Sequence, residues 1–306
     1  MDHPLDRIVV GADGSEFSEA AIRWAAERIP DGGSLHVIHA FSPVKELALA
    51  ALQTDWVPLR NAAEDALNHS WTLPARKLGR ETHNRVLDDD PADALMYVTH
   101  EQRCRAIVVG AHGAGDRRHH LLGSVTRKLI NRSPVPVIVV NRDLAKFEQR
   151  QSQPVVAGVG YGKASEAAAF WAGDFAAAVG RPLSLIHAVS HRPIYPMDSP
   201  LDMVGSYLGG NLPAKFAQSE IDSLANRIRA RKPDLIVSTK IAFGSSISAL
   251  LEAGSGAELV VVGDRRENAV NRKTISPRVQ QLVSRSQFAV AVVPSPQPGE
   301  SSEAIT

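Results

Sequence analysis

Short runs of apolar residues recur along the chain, separated by longer segments with helical spacing. In the first half the runs are IVVGA, LHVIHA, AIVVGA and PVIVV, starting at Ile8, Leu35, Ala106 and Pro136. They are rich in β-branched residues and do not alternate with polar ones, which predicts parallel strands covered on both faces. The segments between them are SEFSEAAIRWAAERI, LRNAAEDALNHSWTLPARKL, DPADALMYVTHEQ and GSVTRKLINRS. These segments predict helices, because their spacing is helical and Ser, Asp or Asn stand near their starts.

The same order of elements occurs twice, about 150 residues apart, which is the size of one domain. SEAA and WA from Ser18 return from Ser165, LHVIHA returns as LSLIHA from Leu183, IVVG from Ile107 returns as VVVG from Val260, and LINRSPVPVIVV from Leu129 returns as LVSRSQFAVAVV from Leu282. Alternating strands and helices predict an α/β fold of two tandem doubly wound domains, each Rossmann-like, with a mostly parallel five-stranded sheet flanked by helices. In such sheets ligands bind beyond the carboxyl ends of the strands, near the switch in strand order.

Changes in composition set the expected domain boundaries. Residues 1–142 form the first domain and residues 154–294 the second, while the polar segment 143–153 lacks strand periodicity and is interpreted as a linker. The last residues, 295–306, are rich in Pro, Ser and Glu and are expected to be disordered.

Charge and cysteine content narrow the classes of partner. The 34 Lys and Arg residues nearly balance 33 Asp and Glu residues, so no overall field attracts nucleic acid or an acidic membrane. Cys104 is the single cysteine, which excludes an intrachain disulfide and a thiol metal cluster. The first residues have the pattern of neither a signal peptide nor a membrane span, so we expect a cytoplasmic protein.

A glycine-rich constellation follows the fourth predicted strand of the first half. Gly110 and Gly113 are separated by two residues, and nine residues later Gly123 and Ser124 open a helix. The first two glycines would let the backbone approach a ligand, and the amides of Gly123, Ser124 and Val125 would be free at a helix N-terminus, which suits phosphate. Any one of these glycines could be a simple turn former, but their joint spacing favours a binding site.

This G-x-x-G, nine residues, G-[ST] pattern, after a VVVG-like strand and before SPVPVIVV, resembles the universal stress proteins that bind ATP. The resemblance covers nearly the whole chain and is to the tandem-domain, actinobacterial-like members, whose fold is adenine nucleotide alpha hydrolase-like. It implies ATP as the ligand, alone or with Mg²⁺, a role in the stress response, a homodimer and an unidentified protein partner. The binding residues that it implies are Asp13 for the adenine or ribose, Ala40 under the base, Ala12, Val109 and Gly110 lining the base pocket, and Gly113, Gly123 and Ser124 on the triphosphate.

Several single residues also allow other interpretations. Asp13 could instead cap the helix that follows it, because carboxylates accept backbone amides at that position. Arg117 and Arg118 could face the phosphates or be solvated cations on an exposed loop. His119 and His120 are adjacent, so their rings diverge, and no third ligand accompanies them; we predict no metal site.

The second copy lacks most of this constellation. The replacements are Gly160 for Asp13, Arg266 for Gly113, Ser276 for Gly123 and Pro277 for Ser124. An arginine side chain fills space that close approach needs, and proline has no amide proton to donate. We therefore expect no ATP in the second copy. The resemblance implies instead that the two copies pair through their last strands, near 135–140 and 288–293.

Three functions remain as hypotheses. The first is a regulatory, ATP-binding stress protein with one ATP in the N-terminal domain and at most weak hydrolysis, because no base, metal-carboxylate pair or nucleophile dyad accompanies the glycines. The second is a slow ATPase or self-phosphorylating enzyme. The third is a nucleotide-independent interaction module, in which the glycines only form turns.

Overall fold

The computed structural model describes residues 3–41, 56–113, 122–141, 153–189, 212–264 and 275–295. The expected linker and C-terminal tail lie almost wholly outside these ranges. The elements of the first half are β1 (Arg7–Gly11), α1 (Glu16–Arg28), β2 (Ser34–Ala40), α2 (Trp56–Ala66), a π-helical turn (Leu67–Trp71), α3 (Leu73–Lys77), β3 (His83–Leu87), α4 (Pro91–Glu101), β4 (Ala106–Gly110), α5 (Ser124–Arg132) and β5 (Val137–Val140). Those of the second half are β6 (Val155–Val159), α6 (Lys163–Ala178), β7 (Leu183–Val189), α7 (Leu212–Arg231), β8 (Val237–Phe243), α8 (Ser246–Gly254), β9 (Leu259–Asp264), α9 (Pro277–Arg285) and β10 (Val290–Pro294).

All these strands form one ten-stranded sheet in the order β3-β2-β1-β4-β5-β10-β9-β6-β7-β8. Within each half every pairing is parallel. The halves join where β5 and β10 run antiparallel, with Val139 opposite Val290 and Val137 opposite Val292. The predicted doubly wound α/β fold is therefore confirmed, and the two copies pair through their last strands.

Burial along the sheet explains its sequence pattern. All four residues of β5 are buried, as are the first four of β10, so both read as continuous apolar runs. The edge strand β8 instead alternates buried or half-buried positions with exposed ones over its first five residues. Helices cover both faces, and each face has an apolar core layer that continues from the first copy into the second. The sheet is thus the shared core of both halves.

Side chains on α1 and α6 also join the halves. The Phe175 ring is fully buried and lies nearly parallel to Trp24 of the first copy, with centroids 6.1 Å apart, and to Trp171 of its own copy, at 5.5 Å. Arg28 Nε donates to Glu258 Oε1 across the boundary at 2.6 Å, and its guanidinium lies over the Trp24 ring. These side-chain contacts between the copies are therefore apolar and aromatic, with the partly buried Arg28 to Glu258 ion pair beside them.

The helix predicted from Leu59 to Leu78 is interrupted in the structure. The helical hydrogen bonding changes to a π-helical turn at Leu67–Trp71, and a short helix starts after Thr72. Pro74 has no amide proton and its ring disfavours a continuous α-helix, while the Thr72 hydroxyl donates to the Leu67 carbonyl at 2.9 Å. The segment is thus helical as predicted, but its helix is broken at Thr72 for this reason.

The described ranges hold neither a candidate membrane span nor a candidate metal cluster. None of their helices is long and apolar enough to cross a membrane. The same residues contain no group of three or more His, Cys, Asp or Glu side chains that could hold a metal ion.

Candidate functional site

Two turns meet at the carboxyl edge of the first half-sheet, where the strand order switches. β1 and β4 are neighbours there, with β2 on one side and β5 on the other. A Cβ atom placed on Gly113, in the turn after β4, would lie 2.7 Å from Oδ2 of Asp13, in the turn after β1. The structure therefore brings these two predicted residues together, and only a glycine leaves the Asp13 carboxylate its present position.

Asp13 organises the turn in which it lies. Its Oδ1 accepts from the Ser15 amide at 3.0 Å and from the Ser15 hydroxyl at 2.6 Å. Its own amide lies 3.3 Å from the Ser18 hydroxyl oxygen. The N-cap of α1 is Ser15, whose side chain accepts from the Ser18 amide. The interpretation of Asp13 as the helix cap is thus wrong, because a residue closer to the helix fills that position, whereas Asp13 fixes the capping serine.

The backbone of Ala12 fastens the same turn to β2. Its amide donates to the Ile38 carbonyl at 2.9 Å, and its carbonyl lies 2.8 Å from Nδ1 of His39. Ala12 is buried, and Ala40 is half-buried at the end of β2, opposite Leu87 of β3. The two alanines predicted for the base pocket therefore lie at adjoining strand ends, and each presents a methyl group.

Gly110 has a structural reason to be glycine. An added Cβ would lie 2.6 Å from Cβ of Phe17, in the first turn of α1, so the strand and the helix could not approach as they do. Gly263 is its counterpart in the second copy, where a Cβ would lie 2.6 Å from the Ala164 carbonyl carbon. Because both copies keep this glycine, helix packing accounts for it in either copy, and its part in ligand approach stays a prediction. Val109 precedes it and is buried.

Alanine at either of these two glycines should destabilise the fold, and the effect should not be confined to the first copy. Gly110→Ala and Gly263→Ala should each lower the free energy of unfolding by about 1–3 kcal/mol, because overpacked sites must shift backbone or side chains. Urea denaturation measures this. Gly160→Ala is the control, since an added Cβ there meets nothing within 4 Å. Equal stability of Gly263→Ala and wild type would contradict the packing argument.

The N-terminus of α5 faces the turn after β4. Its N-cap is Gly123, which has no side chain to cap the first turn, in contrast to Ser15 of α1. The Gly123 amide donates to the Ala111 carbonyl at 3.2 Å, so the prediction that this amide is free was wrong. The amides of Ser124 and Val125 follow in the first helical turn, where helix geometry supplies no intrahelical acceptor. Thr126, which sequence reasoning missed, is buried, and its hydroxyl donates to the Gly110 carbonyl at 3.1 Å.

In the second copy, the N-terminus of the corresponding helix is capped by its own residues. The Ser276 side chain is the N-cap of α9 and accepts from the Val279 amide at 3.2 Å. Pro277 stands at the first helical position and has no amide proton. Gly160 replaces Asp13, and its amide donates to the Ser165 hydroxyl at 2.6 Å, so the backbone turn remains while the carboxylate is lost. Asp264, aligned with Ala111, is buried at the end of β9 and puts a carboxyl group at this edge.

Several residues weighed from the sequence lie outside the described ranges. They are Arg117, Arg118, His119, His120 and Arg266. His39 and His187, the recurring strand histidines, are described: His187 is buried, and His39 is half-buried against the Ala12 carbonyl.

The fold and the site define the class of this protein as a tandem doubly wound α/β chain with a glycine-lined crevice at the switch point of its first half. The family model described as Universal stress protein family matches residues 4–141 and 152–294. The chain belongs to the universal stress protein family, with two tandem copies of its domain.

Related proteins have the same tandem length. A universal stress protein of Mycolicibacterium smegmatis (strain ATCC 700084 / mc(2)155) is 29% identical over 304 residues, which cover 92% of this chain and 96% of that protein. One of Mycobacterium tuberculosis (strain ATCC 25618 / H37Rv) is 29% identical over 273 residues, covering 84% and 86%. Among solved structures, a universal stress protein from Archaeoglobus fulgidus DSM 4304 superposes with a TM-score of 0.64 at 17% identity, covering 95% of this chain and 97% of that one. The resemblance stated from the sequence is thereby confirmed.

Proposed function

We propose that this protein binds one ATP per chain in its N-terminal domain and acts as a regulatory or sensory protein of the stress response. The observation that carries the proposal is the difference between two equivalent helix N-termini. In α5 the cap is glycine, whereas in α9 the Ser276 hydroxyl takes the Val279 amide and Pro277 removes another donor. The first helix therefore offers an anion more amide donors than the second.

The residues of the first crevice fit a nucleotide triphosphate. The amides of Ser124 and Val125 and the Ser124 hydroxyl would donate to phosphate oxygens, and the absent side chains of Gly113 and Gly123 leave them room. The partial positive charge of the helix N-terminus favours such an anion. The fraction of the protein with ATP bound there would follow the ATP level of the cell.

The opposite side of the crevice fits the nucleoside. Ala12 and Ala40 present small apolar groups at adjoining strand ends, and the backbone of Val109 and Gly110 would complete the base pocket. Asp13 keeps Oδ1 on Ser15 and turns Oδ2 toward Gly113, so Oδ2 would accept from a ribose hydroxyl or the adenine amino group. Mg²⁺ would reach this site only with the phosphates.

Binding rather than turnover is the proposed output. Hydrolysis needs a group that positions water and a group that stabilises the leaving phosphate. Asp13, the carboxylate found among the described residues of the crevice, is engaged in the turn through Ser15. We also propose a cytoplasmic protein and a homodimer, with domains at 1–142 and 154–294. Because β5 and β10 already pair within the chain, such a dimer would use another surface.

Nucleotide content and affinity test this proposal. The purified protein is denatured and the released nucleotide identified, and ATP binding to nucleotide-free protein is measured by calorimetry. We expect one site per chain. Gly113→Arg, which places the second copy's residue in the first, should abolish binding, because even its Cβ would lie 2.7 Å from Asp13 Oδ2.

Two substitutions at Asp13 separate turn geometry from ligand contact. Asp13→Ala removes both roles and should weaken ATP binding about 100-fold, since hydrogen bonds to charged groups contribute roughly 1.5–3 kcal/mol each. Asp13→Asn keeps an acceptor for Ser15 but loses the charge, and should weaken binding about 10-fold. Gly160→Ala is the control in the second copy and should bind as wild type. Two sites per chain, or full binding by Gly113→Arg, would refute the proposed site.

A further inference from the structure

A tryptophan from a distant segment packs directly against the turn that contains Asp13. Gly14 has φ +75°, and a Cβ added to it would lie 2.8–2.9 Å from Cε2, Nε1 and Cζ2 of Trp71. Trp71 is partly buried against the core layer. The indole therefore lies against the one residue between Asp13 and the Ser15 helix cap, and a side chain at position 14 could not be placed without displacing it.

His39 extends this contact to the other end of the turn. The His39 and Trp71 rings meet edge to face, with centroids 5.0 Å apart and planes inclined by 68°. Nδ1 of the same histidine lies 2.8 Å from the Ala12 carbonyl. Trp71 thus touches the turn at Gly14 and supports, through His39, the residue that precedes Asp13. Asp13 therefore stands between Ala12 and Gly14, and Trp71 contacts Gly14 directly and Ala12 through His39.

The π-helical turn accounts for the placement of Trp71. A π-helical turn contains more residues than an α-helical one, so the direction of the side chains after it shifts relative to the helix before it. α2 has no buried residue, whereas Leu67, at the start of the π-helical turn, is fully buried. The change in direction places Trp71, at the end of the turn, against Gly14. Such π-helical turns occur frequently at functional sites.

The second copy supplies a comparison within the same chain. There the ring against the equivalent histidine belongs to Tyr161, which replaces Gly14 itself, with centroids to His187 5.1 Å apart at 71°. The crossover helix of that copy, α7, runs from Leu212 to Arg231 as one α-helix. A Cβ on Gly160 would meet nothing within 4 Å. Among the described residues, the ring against this histidine therefore comes from the turn itself and not from the crossover helix.

We propose that Trp71 is a positioning residue of the first copy, which holds the Asp13 turn in the conformation that nucleotide binding needs. This inference rests on the proposed function and deepens it, because it adds a residue that acts through Gly14 and His39. It also connects the segment 56–77 to the site, since Trp71 lies in that segment and packs against the Asp13 turn.

Hydrogen exchange and calorimetry on the full chain test this inference together. Trp71→Leu should raise amide exchange in residues 12–20, where the Asp13, Ser15 and Ser18 amides are held by side chains, and leave residues 159–167 unchanged. The affinity of the Trp71→Leu chain for ATP should fall about 10-fold at a temperature where the chain is fully folded. Trp71→Phe retains an aromatic ring against Gly14 and His39 and should recover most of both effects. Tyr161→Leu removes the matching ring of the second copy and should leave ATP binding unchanged.

The outcomes separate this inference from the proposed function. If Trp71→Leu shows wild-type exchange in residues 12–20, or wild-type affinity for ATP, the positioning role is overturned. The site itself is still tested by Asp13→Ala. A destabilised Trp71→Leu with unchanged affinity likewise shows a structural residue only. If the wild-type chain binds no adenine nucleotide, the proposed function fails, and the exchange in residues 12–20 alone decides whether Trp71 holds the turn.

Discussion

A chain with Gly123→Ser and Ser124→Pro together should lose about 100-fold or more in affinity for ATP, with little change in stability. The pair copies the start of α9, where a serine hydroxyl takes the third amide of the helix and proline removes the first. The Ser124 amide and the Ser124 hydroxyl, two of the donors proposed for the phosphates, would disappear, and each hydrogen bond to a charged group contributes roughly 1.5–3 kcal/mol. The helix itself should persist, because serine is a favourable N-cap and proline is favourable at the first position.

Calorimetric titration with ATP measures the loss, and urea denaturation checks the fold. A Cβ at position 123 would lie 3.2 Å from the Ala111 carbonyl, so only a small local shift is needed. The reciprocal pair Ser276→Gly and Pro277→Ser is the matched control. It should not create a second site, because Gly160 still lacks a carboxylate and Arg266 remains. Unchanged ATP affinity in the first double variant would mean that α5 does not hold the phosphates.

Strands and their order of occurrence could be predicted because a buried parallel strand leaves a direct trace in composition. Val137 to Val140 are all buried, and the sequence there is entirely apolar. The pairing of the strands leaves no such trace. Nothing in the sequence of β5 shows that it lies between β4 and β10, and only the resemblance indicated that the last strands pair. The break at Thr72 did have a signal, since Pro74 stands inside the predicted helix.

The site was predicted less completely, because its contacts depend on tertiary structure. The approach of Gly113 to Asp13 follows from topology, since turns at neighbouring strand ends must meet. The packing of Phe17 on Gly110 depends on how closely α1 lies on the sheet, which no local pattern encodes. Trp71 is more than fifty positions from Gly14, and a π-helical turn directs it there. Ser276 was interpreted as a lost glycine, whereas the structure shows a gained helix cap.

Phe175→Ala should have the largest effect on stability among substitutions between the copies. The ring is fully buried and lies against Trp24 of the first copy and Trp171 of the second, so its removal leaves a cavity where the two halves meet. Truncation of a buried phenylalanine costs about 3–5 kcal/mol. Urea denaturation followed by tryptophan fluorescence measures this loss, because both neighbouring indoles report on the same contact.

The exposed Phe216 provides a control of the same chemistry. Its side chain is 67% exposed, so Phe216→Ala should change the free energy of unfolding by no more than about 0.5 kcal/mol. If the tryptophan stack couples the copies, Phe175→Ala should also let one half unfold at lower urea than the other, since the shared core would then be held by β5, β10 and the Arg28 to Glu258 pair. A loss as small as that of Phe216→Ala would contradict a joint core. A large loss with a single transition would mean that the strand pairing alone keeps the halves cooperative.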